Sequence, residues 1–199
     1  VKDLRATDLT FGAVFVCLMT VGANIAVWFP MLAIPIGGAS VPISLQTFFA
    51  ILAGLMLGKK LGSISMITYI LVGIAGVPVF ANMSAGPMAL ISPTGGFIFS
   101  FIFIAFFVGM IAELTKKPSI PVYTFASLIG LVFNYGIGVT YMYAAMNTWL
   151  ELHVTYQAAW ISMIPFLIKD TALAVLAGVF MLNLAKRIPA RWTPAAKAS

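Results

Sequence analysis

The sequence is poor in charge. Asp, Glu, Lys and Arg together make up 8% of its 199 residues, and 62% are hydrophobic. With a mean hydropathy of +1.08, this composition excludes a soluble globular domain and indicates an integral membrane protein with very little mass outside the bilayer. Cysteine is nearly absent too. The lone Cys17 sits in an apolar run and permits no intrachain disulfide. Histidine occurs once, as His153, with Glu151 two residues away, too little for a zinc site. No Gly-x-Ser-x-Gly elbow is present, which removes the usual activated serine of an intramembrane hydrolase. The run Gly54 to Lys60 is one residue short of a phosphate-binding loop and has Lys60 where Ser or Thr is required, so the chain itself is not expected to hydrolyse ATP.

What remains is a series of apolar runs. They predict an all-α membrane protein, a single membrane domain over 1–199, with six transmembrane helices at about 9–29, 45–57, 61–72, 94–113, 121–149 and 165–187. The first run is too long for a signal-peptide core and reads as a permanent helix. The second and third are short and meet at Gly58-Lys59-Lys60, the pattern of a tight hairpin. Residues 34–42 read as an uncharged loop rich in helix breakers. Residues 73–96 form a long uncharged connection full of Gly and Pro, tolerated near a membrane only where protein buries it or it lines a cavity. Residues 151–163 read as a loop with an interfacial turn, and Pro165 as the opening of the last helix.

The net charge of +6 does not signal nucleic acid, because the basic residues fall in short clusters between apolar runs. Lys2 and Arg5, Lys59 and Lys60, Lys116 and Lys117, and Lys186 through Lys197 all lie on one side of a six-helix arrangement. The positive-inside rule then places both termini in the cytoplasm.

One pair of charges breaks the pattern. Lys169 and Asp170 lie inside an apolar run that continues to Leu184. A charge at membrane depth costs on the order of 2.5–3.5 kcal/mol and is retained for pairing or binding. As sequence neighbours on a helix they point about 100° apart, so simple mutual neutralisation is not expected. With Pro165 as the helix start, they lie one to two turns in, in the outer part of the membrane. Asp170 reads as a ligand acceptor, a proton carrier, or the partner of a structural ion pair that is simply polar glue between helices. Gln46, Asn82, Asn134 and Tyr135 are further polar groups in apolar surroundings, each open to a binding or a helix-bridging role. Ser92-Pro93-Thr94-Gly95-Gly96 marks either a simple turn or a helix start whose free N–H groups suit a carboxylate.

With these residues in view, the chain resembles the biotin-specific S component of energy-coupling factor vitamin transporters, the BioY family. The resemblance rests on Val41-Pro42-Ile43-Ser44-Leu45-Gln46-Thr47, Gly54 through Gly62, Gly73 through Ala81, Gly86-Pro87, Ser92 through Phe97, and Lys169-Asp170. It implies an S-component-like bundle in the membrane of a bacterial or archaeal cell. Such a chain is not an enzyme. It carries no cofactor and no metal, takes biotin as ligand, and partners a transmembrane coupling subunit and two ATPases. It also implies an outer-side pocket with Asp170, Asn82 and Gln46 as ligand contacts, covered by the loop between the first two helices. Within that loop Gly37, Gly38 and Ser40 are the expected gate. Lys169, or the helix start at Thr94, Gly95 and Gly96, is expected to hold the biotin carboxylate. The small-residue docking surface such proteins carry on the first helix is represented here by Ala13 and Cys17. The rival expectation is a stand-alone proton-coupled transporter that uses Asp170 as its own relay.

Overall fold

A computed structural model describes residues 5–29, 31, 33–36, 39–115 and 117–187, giving backbone only for 33–36 and 39–42. Helices dominate it: α1 (Ala6–Trp28), α2 (Gln46–Ile74), the single turn α3 (Met88–Ile91), α4 (Gly95–Leu114), α5 (Ile120–Thr148) and α6 (Tyr156–Ala185). Among the described residues five helices (all but α3) are long and apolar enough to cross a membrane. A helix satisfies its own backbone, which is why apolar runs of this length take no other form in lipid.

The longest irregularity lies inside α2, where Gly58 has φ 80° and ψ 175°. The chain reverses there. Gln46 Nε2 lies 2.9 Å from the hydroxyl of Tyr69, whereas a continuous helix would hold those residues about 35 Å apart. The two halves, 46–57 and 59–74, span roughly 18 Å and 24 Å, each short of a ~30 Å hydrocarbon core. Glu113 at the end of α4 closes the turn. Its Oε1 accepts the Lys59 backbone N–H at 2.9 Å, and its Oε2 lies 3.4 Å from Lys59 Nζ. A carboxylate suits that helix start because the first N–H groups have no intrahelical acceptor.

The doubled α2 is the centre of the bundle. It packs most extensively on α4 and then on α1, while α4 leads to α5, α5 to α6, and α6 returns to α2. Leu55, Met66 and Tyr69 of α2 are fully buried with Met19 of α1 and Ile104 of α4. By contrast α6 buries one narrow stripe, Ala159, Asp170, Ala174, Ala177, Gly178 and Met181, and from Asp170 onward these keep the i, i+4, i+7, i+8, i+11 spacing of a single helix face. Asp170 is the one charged member of that inward stripe.

Three readings of the sequence need correction. The 34–42 segment is not simply a loop: it holds an antiparallel pair, β1 (Ala33–Ile36) and β2 (Ala39–Pro42), in register from Ala33 opposite Pro42 to Ile36 opposite Ala39. The fold is therefore helical with one short ribbon. Gly37-Gly38 between two short apolar runs was the available hairpin signal. Secondly, α6 opens at Tyr156 rather than at 165. Thr155 caps it, its hydroxyl accepting the Ala158 N–H at 3.2 Å, and Pro165 lies inside the helix. Proline cannot donate to the ladder, yet membrane helices tolerate it where neighbours compensate. Thirdly, Lys169 and Asp170 consequently sit about 20 Å from the start of α6, near its middle.

Alanine at position 58 is strained twice over. The backbone conformation is one that only glycine adopts readily, and a Cβ there would lie 2.4 Å from Glu113 Oε1. Gly58→Ala is expected to lower the stability of the detergent-solubilised protein by roughly 1–3 kcal/mol. Thermal unfolding measures this, and an unchanged transition would mean that the turn is not held as described.

Candidate functional site

A cavity of about 560 Å³ opens where the start of α2, the 75–94 connection, the start of α4 and the middles of α5 and α6 converge. The volume falls inside the range of about 300–1,000 Å³ usual for small-molecule sites. Its wall combines Phe80, Phe97, Phe101, Phe166, Met88 and Met163 with a small polar set. Gln46, Asn82, Thr94, Asn134, Tyr135, Lys169 and Asp170 all line it.

Asp170 anchors the polar end and is 3% exposed. Its Oδ2 accepts from the Tyr135 hydroxyl at 2.8 Å, and its Oδ1 lies 2.8 Å from Lys169 Nζ. The expectation that these neighbours do not pair is wrong. The Lys169 side chain is long and flexible enough to turn back along the helix, whatever the 100° between the two Cβ directions. Lys169 also donates to the backbone carbonyl of Ser44. The contact with Oδ1 is an ion pair without hydrogen-bond alignment, and Oδ1 accepts no hydrogen bond among the described residues. A buried carboxylate oxygen at the cavity wall therefore keeps acceptor capacity.

The amides divide by how much of each is already used. Gln46 is committed on both sides, its Oε1 accepting from the Ser44 hydroxyl at 3.0 Å and its Nε2 donating to Tyr69 at 2.9 Å. Tyr69 passes the chain on to the Val79 carbonyl at 2.9 Å. Gln46 thus ties both halves of α2 to the 75–94 connection, with one N–H to spare. Asn134 accepts from the Ser100 hydroxyl at 2.6 Å, and its Nδ2 donates to no group among the described residues. The Asn82 side chain makes no hydrogen bond among the described residues. It stands in a short 3-10 turn (Ala81–Met83) where Asn82 and Met83 both take positive φ, 57° and 56°.

Gly95 and Gly96 do not line the cavity. They are small because of packing: a Cβ on Gly95 would lie 1.7 Å from the Leu90 carbonyl oxygen, and one on Gly96 would lie 2.3 Å from Tyr141 Cβ. The Gly95 N–H is already donated to the Ser92 carbonyl at 2.8 Å. Thr94 does face the cavity, its hydroxyl 3.0 Å from that of Ser92. Of the expected gate, Gly37 and Gly38 lie outside the described residues, and Ser40 is in β2 opposite Pro35. Ala13 and Cys17 are exposed on α1, away from the buried face made by Gly12, Phe15 and Met19.

Sequence reasoning missed Ser44, Ser100 and Tyr69, which orient the polar wall. It also missed Asn24, fully buried on α1, whose Oδ1 accepts the Met83 N–H at 2.7 Å. An amide inside an apolar helix was the signal available for Asn24. For the hydroxyls nothing local distinguishes a wall residue from a lipid-facing one.

The chain matches known proteins along most of its length. The BioY family matches residues 1–190. BioYB of Bacillus subtilis (strain 168) is 47% identical over 88% of this chain and 86% of its own. The biotin transporter BioY of Thermotoga maritima is 38% identical over 90% of this chain and 96% of its own. Among solved structures, the S-component for biotin from an ECF-type ABC transporter superposes with a TM-score of 0.77 at 23% identity, covering 92% of this chain and 95% of that one. That likeness establishes a shared fold.

The buried pair yields a prediction that needs no ligand. Removing one member strands the other charge, so Lys169→Met should destabilise the protein by roughly 3–5 kcal/mol, and Lys169→Met combined with Asp170→Asn should recover most of that loss. Thermal unfolding of the four variants of this cycle measures the coupling. Additive effects would mean that the pair does not form.

Proposed function

The chain belongs to the BioY family, and from that premise we propose that it is the substrate-binding membrane subunit of an energy-coupled biotin uptake system. The observation that carries the reading is a buried carboxylate with a spare acceptor, Asp170, facing a cavity of vitamin size whose remaining wall is aromatic and thioether.

Biotin supports this assignment by its chemistry. Its ureido ring has two N–H donors and one carbonyl. Asp170 Oδ1 accepts from one N–H, and the uncommitted amide of Asn82 or Asn134 complements the rest, each bond strengthened where water is excluded. Phenylalanine and methionine cover the sulfur-containing bicycle. For the valerate carboxylate the cavity offers Lys169, whose ammonium keeps donor capacity beyond its bond to the Ser44 carbonyl, and the Thr94 hydroxyl. Gln46 contributes its remaining N–H. The β1–β2 ribbon, reaching α2 through the Ser44 that Lys169 touches, is the gate.

Orientation follows from the basic residues. Arg5, Lys59, Lys60, Lys117, Lys186 and Arg187 lie at the ends of helices away from the cavity-lining ends. Counting the two halves of α2 separately gives six crossings, with both termini cytoplasmic and the cavity opening outward. The location is then the cytoplasmic membrane of a bacterium or archaeon. Concentrative uptake must draw on another source of energy, so the partners are a transmembrane coupling subunit and two ATPases, docked on the exposed Ala13–Cys17 face. The rival, a stand-alone proton carrier, is weakened by the commitment of Asp170 to Lys169 and Tyr135 and by the lack of a second acid among the cavity residues.

Two measurements test this. Asp170→Asn keeps the shape and loses the charged acceptor, and should weaken biotin binding by roughly 1.5–3 kcal/mol, about ten- to more than a hundred-fold. Unchanged affinity in a folded variant would remove Asp170 from the site. Ala13→Trp should retain biotin binding while abolishing ATP-driven uptake with the coupling subunits. Proton-dependent uptake by the chain alone would instead establish the rival mechanism.

A further inference from the structure

Among the described residues Asn24 is the one fully buried amide outside the cavity wall, and its position is unusual for its chemistry. It lies on α1 with 0% exposure, among Gly22, Ala23 and Ala26. Burying a primary amide away from water is costly unless its groups are bonded. Both ends are used. Nδ2 donates to the Thr20 carbonyl at 3.0 Å within its own helix, and Oδ1 reaches across to the Met83 backbone N–H at 2.7 Å. The first bond fixes the rotamer, and the second is the only one that leaves the helix.

What it reaches is a strained turn. Two consecutive non-glycine residues, Asn82 and Met83, hold positive φ. For L-residues this conformation costs roughly 1–2 kcal/mol each, least for Asn. Three local bonds help to close the turn: Phe80 N–H to the Ser84 carbonyl at 3.1 Å, and the Ser84 N–H and hydroxyl to the Ala81 carbonyl at 3.2 Å and 2.8 Å. None touches the N–H of Met83. Asn24 alone takes that group, and the Asn82 side chain, just before it, projects to the cavity with no bond of its own. The same stretch of α1 holds the opposite wall, since the Gly22 carbonyl accepts the Leu45 N–H at 2.9 Å, between Ser44 and Gln46.

We propose that Asn24 is a positioning residue for ligand capture: by holding the Met83 N–H it sets the strained Asn82 turn, and so makes affinity depend on the placement of α1. This rests on the biotin-binding reading above and extends it to a residue that does not touch the ligand. Because α1 also carries the exposed Ala13–Cys17 face, the bond gives that helix a mechanical connection to the cavity.

The test has two independent arms. In the first, amide hydrogen exchange of the unliganded protein is compared between wild type and Asn24→Leu. The Leu variant should exchange markedly faster at Met83, while the backbone amides of α4 stay near wild type. Equal protection in the Leu variant would overturn the proposal whether or not the chain binds biotin. In the second, biotin titration should show Asn24→Leu weakening affinity about five- to fifty-fold. In an Asn82→Ala background the same Leu substitution should have almost no further effect. An undiminished loss there would mean that Asn24 acts through general stability, overturning the positioning role. Failure of the wild type to bind biotin would overturn the functional reading and leave the exchange arm to decide the role of Asn24.

Discussion

The bundle is organised around a buried charge that must be kept in company. Asp170 faces inward from α6 and is held by Tyr135 from α5 and Lys169 from its own helix, while Lys169 in turn holds the Ser44 carbonyl at the entry to α2. Three separate parts of the chain are thereby fixed around one carboxylate. An ion pair at this depth is weak evidence for stability, because desolvation offsets much of the attraction. It is better understood as a device that keeps a charged acceptor available beside a cavity. The surrounding packing, from the Gly58 reversal to the Gly95 and Gly96 contacts, serves to bring the polar wall to that point.

The polar wall is connected rather than merely assembled. Ser44, Gln46, Tyr69 and the Val79 carbonyl form a continuous chain of donors and acceptors, and the Ser100–Asn134 bond fixes a second site of attachment. In a low-dielectric interior such chains are strong when complete and costly when broken. Spare capacity is left on Asp170, Asn82, Asn134, Lys169 and one N–H of Gln46, while Ser44, Tyr69 and Ser100 hold them in place.

Much of this was legible in the sequence because lipid leaves few options. Apolar runs of sufficient length must be helices, and the rarity of charge made Lys169 and Asp170 conspicuous. The hairpin at Gly58-Lys59-Lys60 was readable from glycine followed by two lysines. Failures came where two local rules competed. Pro165 signalled a first turn, but the Thr155 cap and the apolar run that follows it carried the helix nine residues further back. Gly95 and Gly96 were open to either a simple turn or an anion-binding helix start, and their small size answers close contacts with Leu90 and Tyr141 that only the fold creates. Lys169 and Asp170 were separated by a rule about Cβ directions that a flexible side chain need not obey. The partnership of Asn24 with Met83 joins residues 59 apart in sequence, and no local pattern announces it.

The shortness of the two halves of α2 has its own consequence. α5 and α6 each run about 45 Å and rise roughly 20 Å past the level of Asn134, Tyr135 and Asp170, whereas the first half of α2 stops at Gln46, beside them. A truncated central hairpin beside two taller helices leaves a recess, and Gln46 with Thr47 forms part of its floor. The depth of the recess is therefore written in helix length. One extra turn added before Gln46 would raise that floor by about 5.4 Å and fill the volume that the side chains of the wall enclose.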